Sequence, residues 1–164
     1  MIFIGIDNGL SGGLAAYNRD TGELRITAMP VIGVKTAKGN KNEYDIQAII
    51  RWFDQLPNGP QMVALEKAQA FPGQGVVSMF SIGRGFGIME GILASRKWPY
   101  TIVSPKTWQK RMFEGVAHSD TKQASALVAQ RLFPDTRFVA TERSKKLHDG
   151  ITDATMMAVY ASRL

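Results

Sequence analysis

Short apolar runs separated by polar turns predict a set of β-strands. Five such runs stand out: 1–6, 14–17, 24–29, 61–66 and 100–103. The first run leads directly into Asp7 and the glycine-rich turn GIDNGLSGG, and the fourth run ends on Glu66. The polar segment 18–22 joins the second and third runs, so we expect the first three strands to form an antiparallel meander.

Apolar residues at helical spacing predict five helices, which alternate with the later strands. These helices are 46–56, 76–96, 105–113, 119–133 and 144–164. The segment 33–41, GVKTAKGNK, has no hydrophobic period and carries three lysines, so we expect a basic loop there. Three antiparallel strands followed by alternating strands and helices predict an α/β fold with a mixed sheet, in one domain spanning residues 1–164.

Composition and charge narrow the function classes. The 164 residues include 20 Lys and Arg against 14 Asp and Glu, giving a net charge of +6, which favours a polyanionic partner. Cysteine is absent, so a disulfide framework and a thiolate zinc site are excluded. The first residues have no basic region before Asp7 and the sequence contains no run of eighteen apolar residues, so we expect no signal peptide, no membrane span and a cytoplasmic location.

Four acidic residues are placed where they can converge. Asp7 and Glu66 each follow an apolar strand. If these two strands are adjacent and parallel, their carboxyl ends lie side by side, where open α/β sheets place their sites. Asp149 and Asp153 are four residues apart, so on a helix they share a face at about 5–6 Å. Clustered carboxylates repel one another, and oxygen ligands suit Mg²⁺ or Mn²⁺. Two such ions can activate a water and stabilise the leaving oxygen of a phosphodiester. Capping of a tight turn by Asp7 is the alternative interpretation of that residue.

These motifs together resemble the ribonuclease-H-like nucleases, and in particular the RuvC-type Holliday junction resolvases in their short, phage-like form. The matching stretches are GIDNGLSGG, ALEKAQAFPGQGVVSMFSIGRGFGIMEGIL, VSPKTWQK, SDTKQAS and HDGITDATMMAVYASR. The resemblance implies a five-stranded mixed sheet flanked by helices, with metal ligands at Asp7, Glu66, Asp149 and Asp153. The cellular branch spaces its last two ligands three apart rather than four, which leaves His148 as an alternative to Asp149.

Basic and aromatic residues near these motifs are the candidate DNA contacts. We expect Lys67 to assist at the scissile phosphate, and Arg84 and Lys106 to lie near DNA. The resemblance implies phosphate contacts at Lys110 and Lys122. Phe71, in the loop after Glu66, is a candidate wedge against unpaired bases. The spacing of Trp108 predicts a core residue rather than a stacking platform.

The sequence therefore predicts a Mg²⁺-dependent crossover junction endodeoxyribonuclease that cuts four-way or other branched DNA, without a nucleotide cofactor. Paired nicks need two active sites, so we expect a homodimer, with the glycines of the long helix, Gly83, Gly87 and Gly91, at its interface. A less selective flap nuclease or a ribonuclease H would share the same carboxylates. A catalytically inactive DNA-binding module and one lobe of an actin-like or sugar-kinase ATPase, suggested by GIDNGLSGG, are the remaining alternatives.

Overall fold

A mixed five-stranded sheet forms the centre of the computed structural model, which describes residues 1–37, 39–57, 59–70, 72–117 and 120–164. Its strands are β1 (Ile2–Asp7), β2 (Gly13–Asn18), β3 (Leu24–Ala28), β6 (Met62–Glu66) and β7 (Tyr100–Val103). The spatial order is β3-β2-β1-β6-β7. The pairs β1–β2 and β2–β3 are antiparallel, whereas β6 pairs in parallel with both β1 and β7. The predicted fold class is confirmed.

The segment predicted as a basic loop is instead a β-hairpin. Its strands, β4 (Val31–Thr36) and β5 (Gly39–Tyr44), pair in register from Val31 and Tyr44 to Thr36 and Gly39. β-Branched residues favour the extended conformation of β4, but every residue of that strand is exposed, so no alternation of apolar and polar positions marks it in the sequence. Gly39 adopts a φ of 117°, which favours glycine at the start of β5.

The helices lie close to their predicted positions. They are α1 (Ile46–Asp54), α2 (Val76–Ser95), α3 (Pro105–Met112), α4 (Thr121–Leu132) and α5 (Asp149–Ala161). Side chains of Asp45, Ser104 and Asp120 accept amide hydrogen bonds at the first turns of α1, α3 and α4. The last helix begins at Asp149 rather than at residue 144, because the preceding residues form an irregular loop.

Because side chains alternate along the strands, each face of the sheet packs against its own hydrophobic core. Ile4 and Ile6 of β1 face α1 and α2, and they pack with residues such as Phe53 and Met89. Phe3 faces α3, α4 and α5 on the opposite side of the sheet, in the core that contains Trp108. Because side chains alternate along a strand, Asp7 points to the same side as Phe3, towards α5.

One described helix, α2, is long and apolar enough to span a membrane by length and composition alone, a criterion that core helices of soluble proteins also meet. Met89, Ile92 and Leu93 of α2 are buried against the sheet, and the helix carries Arg84 and Glu90. Only 22% of the apolar window of α2 is buried, so the helix covers the sheet with one face and leaves the other face exposed.

Glycine and alanine allow the backbone of α5 to approach the sheet unusually closely. A Cβ atom built on Gly5 of β1 would lie 2.0 Å from the carbonyl oxygen of Ala154 and 2.4 Å from the amide nitrogen of Ala158. A Cβ on Gly150 would lie 2.5 Å from the Cα of Gly12. The small residues therefore bring α5 against β1 and against the turn that follows Asp7.

We predict that Gly5→Ala lowers the free energy of unfolding by about 3 kcal/mol or more, because backbone atoms of α5 would have to move away. Gly33→Ala is the matched control within a strand, since no atom lies within 4 Å of a Cβ built there. The control should change stability little or raise it by about 0.5–1 kcal/mol. Urea denaturation measures both variants, and equal effects would contradict the close packing of α5 on β1.

Candidate active site

The ends of β1 and β6 place Asp7 and Glu66 side by side. The parallel register pairs Gly5 with Ala64 and Ile6 with Leu65, so the next residue of each strand is one of the two acids. Gly5 of β1 and Ala64 of β6 face α5, and each acid lies two residues further along its strand. Both acidic side chains therefore project to the α5 side of the sheet. The side-chain amide of Asn8 donates to the main-chain carbonyl of Glu66 at 2.7 Å and ties the two strand ends together.

Asp153 reaches the same place from α5. It lies one residue before Ala154, whose carbonyl oxygen faces Gly5. The hydroxyl group of Ser125, on α4, donates to Asp153 Oδ1 at 2.5 Å. The indole N–H of Trp108, on α3, donates to Glu66 Oε1 at 3.1 Å. Three helices therefore contribute to holding the two carboxylates.

Burial and mutual repulsion favour the protonated forms of these three acids. Burial raises the pKa of Asp7 from its ordinary value near 3.8 to about 7, and the Glu66 carboxylate contributes in the same direction, against the amide of Gly9, which donates to Asp7. Burial also raises the pKa of Glu66 to about 6, against the hydrogen bond from Trp108. The pKa of Asp153 rises to about 6 by burial, against the hydrogen bond from Ser125.

Asp149 stands at the edge of this group. It occupies the first turn of α5, and its Oδ2 lies 2.9 Å from the Nζ of Lys122. The charge of Asp149 adds to the rise in the pKa of Asp153. His148 is the N-cap of α5, where its Nδ1 accepts the amide hydrogen of Ile151 at 3.3 Å. One of the two ring nitrogens of His148 therefore caps the first turn of α5.

Four of the predicted phosphate and DNA contacts line three grooves. Lys67 and Lys106 line a groove together with Asp7 and Glu66. Lys110 lines a neighbouring groove on α3, which also includes Lys106. Arg84 lines a separate groove beside the β4–β5 hairpin, where its Nη1 lies 3.7 Å from Glu43 Oε2.

The sequence also predicts roles for Phe71 and Trp108. Phe71, the predicted wedge, lies outside the residues that the structure describes. Trp108 is fully buried, as predicted, but its hydrogen bond to Glu66 was not. Ser125 was not singled out either, although it lies in the stretch SDTKQAS. Neither contact carries a sequence signal, because each joins residues at least 28 positions apart.

The chemistry of this donor set fits a hard divalent cation. Asp7, Glu66 and Asp153 offer half-buried carboxylate oxygens, and each carboxylate lies close enough to another to raise its pKa. Negative charge that no cation neutralises is unfavourable at such a site. Within the described ranges no three acidic or histidine side chains stand close enough to form a ready-made metal cluster. A shared ion therefore requires these side chains to move closer together than they stand here.

Solved structures with the same fold are Holliday junction resolvases. Thermus thermophilus RuvC is 18% identical, with a TM-score of 0.56 over 99% of this chain and 96% of that chain. The structure of T. thermophilus RuvC in complex with Holliday junction substrate is 14% identical, with a TM-score of 0.55 over the same shares of the two chains. The yeast mitochondrial Holliday junction resolvase Ydc2 is 14% identical, with a TM-score of 0.53 over 94% of this chain and 75% of that chain.

No protein-family model and no curated protein sequence matches the chain. At these low identities the structural likeness establishes the fold, which is the ribonuclease-H-like fold of the RuvC resolvases. The resemblance inferred from the sequence motifs is therefore confirmed as a likeness of fold.

We predict that the metal-free protein loses stability as the pH rises. The folded state holds a proton on Asp7 up to a pKa of about 7, whereas the unfolded chain releases it near 3.8, so the free energy of unfolding falls between these two values. Asp7→Asn removes this ionisation and should melt above the wild type at pH 7.5 in EDTA, with a much smaller difference at pH 4.

The same melting measurement is then made with Mg²⁺ present. At pH 7.5 Mg²⁺ should raise the melting temperature of the wild type well above that in NaCl of equal ionic strength, and it should raise that of Asp7→Asn much less. Calorimetry or dye-based melting gives both values. An Asp7→Asn variant that melts below the wild type at pH 7.5 without metal would contradict the electrostatic description of the site.

Proposed function

We propose that the chain is a divalent-metal-dependent endonuclease that resolves four-way DNA junctions by paired nicks. The observation that carries the proposal is the convergence of three half-buried carboxylates, Asp7, Glu66 and Asp153, which interact electrostatically where β1 and β6 end against α5. The raised pKa values of these acids are a feature of functional sites. The likeness to junction resolvases over nearly the whole chain points to branched DNA as the substrate.

Asp7, Glu66 and Asp153, with Asp149 at their edge, would hold the Mg²⁺ or Mn²⁺ ions, and we propose two ions per site. When bound, such ions supply Lewis-acid stabilisation of the charge that develops on the phosphodiester. Trp108 and Ser125 orient two of the carboxylates through their hydrogen bonds. The amide of Gly9 orients Asp7 in the same way.

The lysines of the site would hold the substrate phosphates. Lys67 and Lys106 border the acidic groove, and within the described chain neither forms an ion pair, so both are available to DNA. Phosphate contacts of this kind contribute affinity and electrostatic stabilisation rather than sequence readout. Lys122 differs, because Asp149 holds it; neutralisation of Asp149 by a bound ion would release Lys122 towards a phosphate.

A homodimer would supply the second nick. The outer face of α2 is open: Val76 and Phe80 are 77% and 69% exposed. Cβ atoms built on Gly83, Gly87 and Gly91 would meet no atom of this chain within 4 Å. Apolar side chains beside glycines allow a second helix to approach closely, and exposed apolar surface of this kind favours an interaction. We therefore propose that two copies pair through α2.

The cleavage prediction concerns the ligand residues. Asp7→Asn, Glu66→Gln and Asp153→Asn should each reduce Mg²⁺-dependent cutting of a four-way junction by at least about a hundredfold, because each removes a ligand charge at nearly constant volume. Binding to the same junction should persist, since no phosphate contact is removed. Asp54→Asn is the matched control, because Asp54 lies at the end of α1 and pairs with Arg96. Gel assays of cutting and binding measure both properties.

Near wild-type cutting by any of the three ligand variants would remove that residue from the ligand set. Linear duplex, flap and three-way substrates built from the same strands test selectivity. Equal cutting of all these substrates would favour the less selective branch nuclease, and cutting of RNA in a hybrid duplex would favour a ribonuclease H.

The dimer prediction concerns Phe80. Phe80→Glu should convert a dimer into a monomer of 18.1 kDa, because it places a charge on the proposed apolar interface. Leu132→Glu is the control, since Leu132 is exposed at the end of α4. Light scattering measures the masses, and a cruciform plasmid reports paired nicking as linear product. A wild-type mass of one chain at micromolar concentration would contradict the dimer.

A further inference from the structure

The loop that leads into α5, residues 134–147, carries several positively charged side chains close to the acidic site. Arg143, Lys145 and Lys146 are all exposed, and they precede Asp149 by only a few residues. Within the described chain no acidic side chain forms an ion pair with any of the three. In this respect they differ from Lys122 and Arg84, which are held by Asp149 and Glu43.

Internal hydrogen bonds hold this loop in place. The guanidinium of Arg137 donates to the carbonyl oxygens of Glu142 and Ser144, at 3.3 and 3.4 Å. The amide of His148 donates to the carbonyl of Phe138 at 2.8 Å, and the ring of Phe138 is fully buried. Arg137 therefore has a structural role, whereas the side chains of Lys145 and Lys146 are not needed for the loop conformation.

The end of the loop borders the acidic site on its Asp149 side. Lys146, His148 and Asp149 line one groove together with Ser11, which belongs to the turn that follows Asp7. The groove that contains Lys67 and Lys106 opens on the Asp7 and Glu66 side. Free cations therefore border the carboxylates from two separate directions.

We infer that this loop is a second phosphate-binding surface of the active site, on which Lys145 and Lys146 hold the backbone of the cut DNA strand beyond Asp149. The inference rests on the proposed function, because it assigns a place to the substrate of that same site. A strand that crosses the carboxylates brings its own negative charge close to theirs. Cations on both sides of the site offset this repulsion and fix the strand across the acids.

The test compares two double variants that lose the same charge. Lys145→Gln/Lys146→Gln removes the proposed contacts. Arg51→Gln/Lys97→Gln is the matched control, because both residues are exposed near the starts of the parallel strands, at the opposite edge of the sheet. Affinity for a four-way junction is measured in Ca²⁺, at salt concentrations from about 50 to 200 mM, with circular dichroism to verify folding.

The loop variant should bind roughly tenfold more weakly at about 0.1 M salt, and its plot of log K against log salt should be flatter by about 1.5–2 units. The control should change the slope by less than about half a unit. Equal slopes for the two variants would overturn the assignment of the loop while leaving the nuclease intact. Failure of the wild type to bind or cut any branched DNA would instead overturn the proposed function.

Discussion

The approach of the α5 backbone to β1 is the constraint on which the site depends. Gly5 leaves room for the backbone around Ala154 and Ala158, and Gly150 lies equally close to the turn after Asp7. A side chain at either glycine would meet backbone atoms of the other segment, so these glycines set how closely the helix lies against the strand. This packing carries Asp153 to the side of the sheet where Asp7 and Glu66 emerge. The glycine-rich turn after Asp7 is thus explained by the helix that packs on it.

The same packing creates an electrostatic cost. Burial raises the pKa values of Asp7, Glu66 and Asp153 well above those of exposed carboxyl groups, so the charged forms destabilise the metal-free fold. Hydrogen bonds from Trp108 and Ser125 offset part of this cost and fix the directions of two carboxylates. Cations that neutralise these carboxylates also stabilise the fold, so folding and ion binding are coupled. This coupling links the packing of α5 to the proposed activity.

The sequence pattern predicted all five strands of the sheet. Strands that are buried on one or both faces consist largely of apolar residues, and such runs are visible in the sequence. The pattern also placed Asp7 and Glu66 at strand ends, but the adjacent, parallel pairing of those two strands was only a condition at that point and is supplied by the structure. The hairpin of β4 and β5 was missed because β4 is exposed throughout and shows no alternation. The ion pair of Lys122 with Asp149 and the hydrogen bond from Trp108 to Glu66 depend on tertiary packing across long sequence separations, which local patterns do not encode.

Crystals of the protein grown with Mn²⁺ test the central claim most directly, because anomalous scattering locates the ions without any assay of activity. We expect anomalous density bounded by the carboxylates of Asp7, Glu66 and Asp153, with these side chains closer together than they stand in the structure described here. The density should disappear in crystals of Asp7→Asn. Well-ordered carboxylates with Mn²⁺ bound only elsewhere, or not at all at millimolar concentration, would contradict the account.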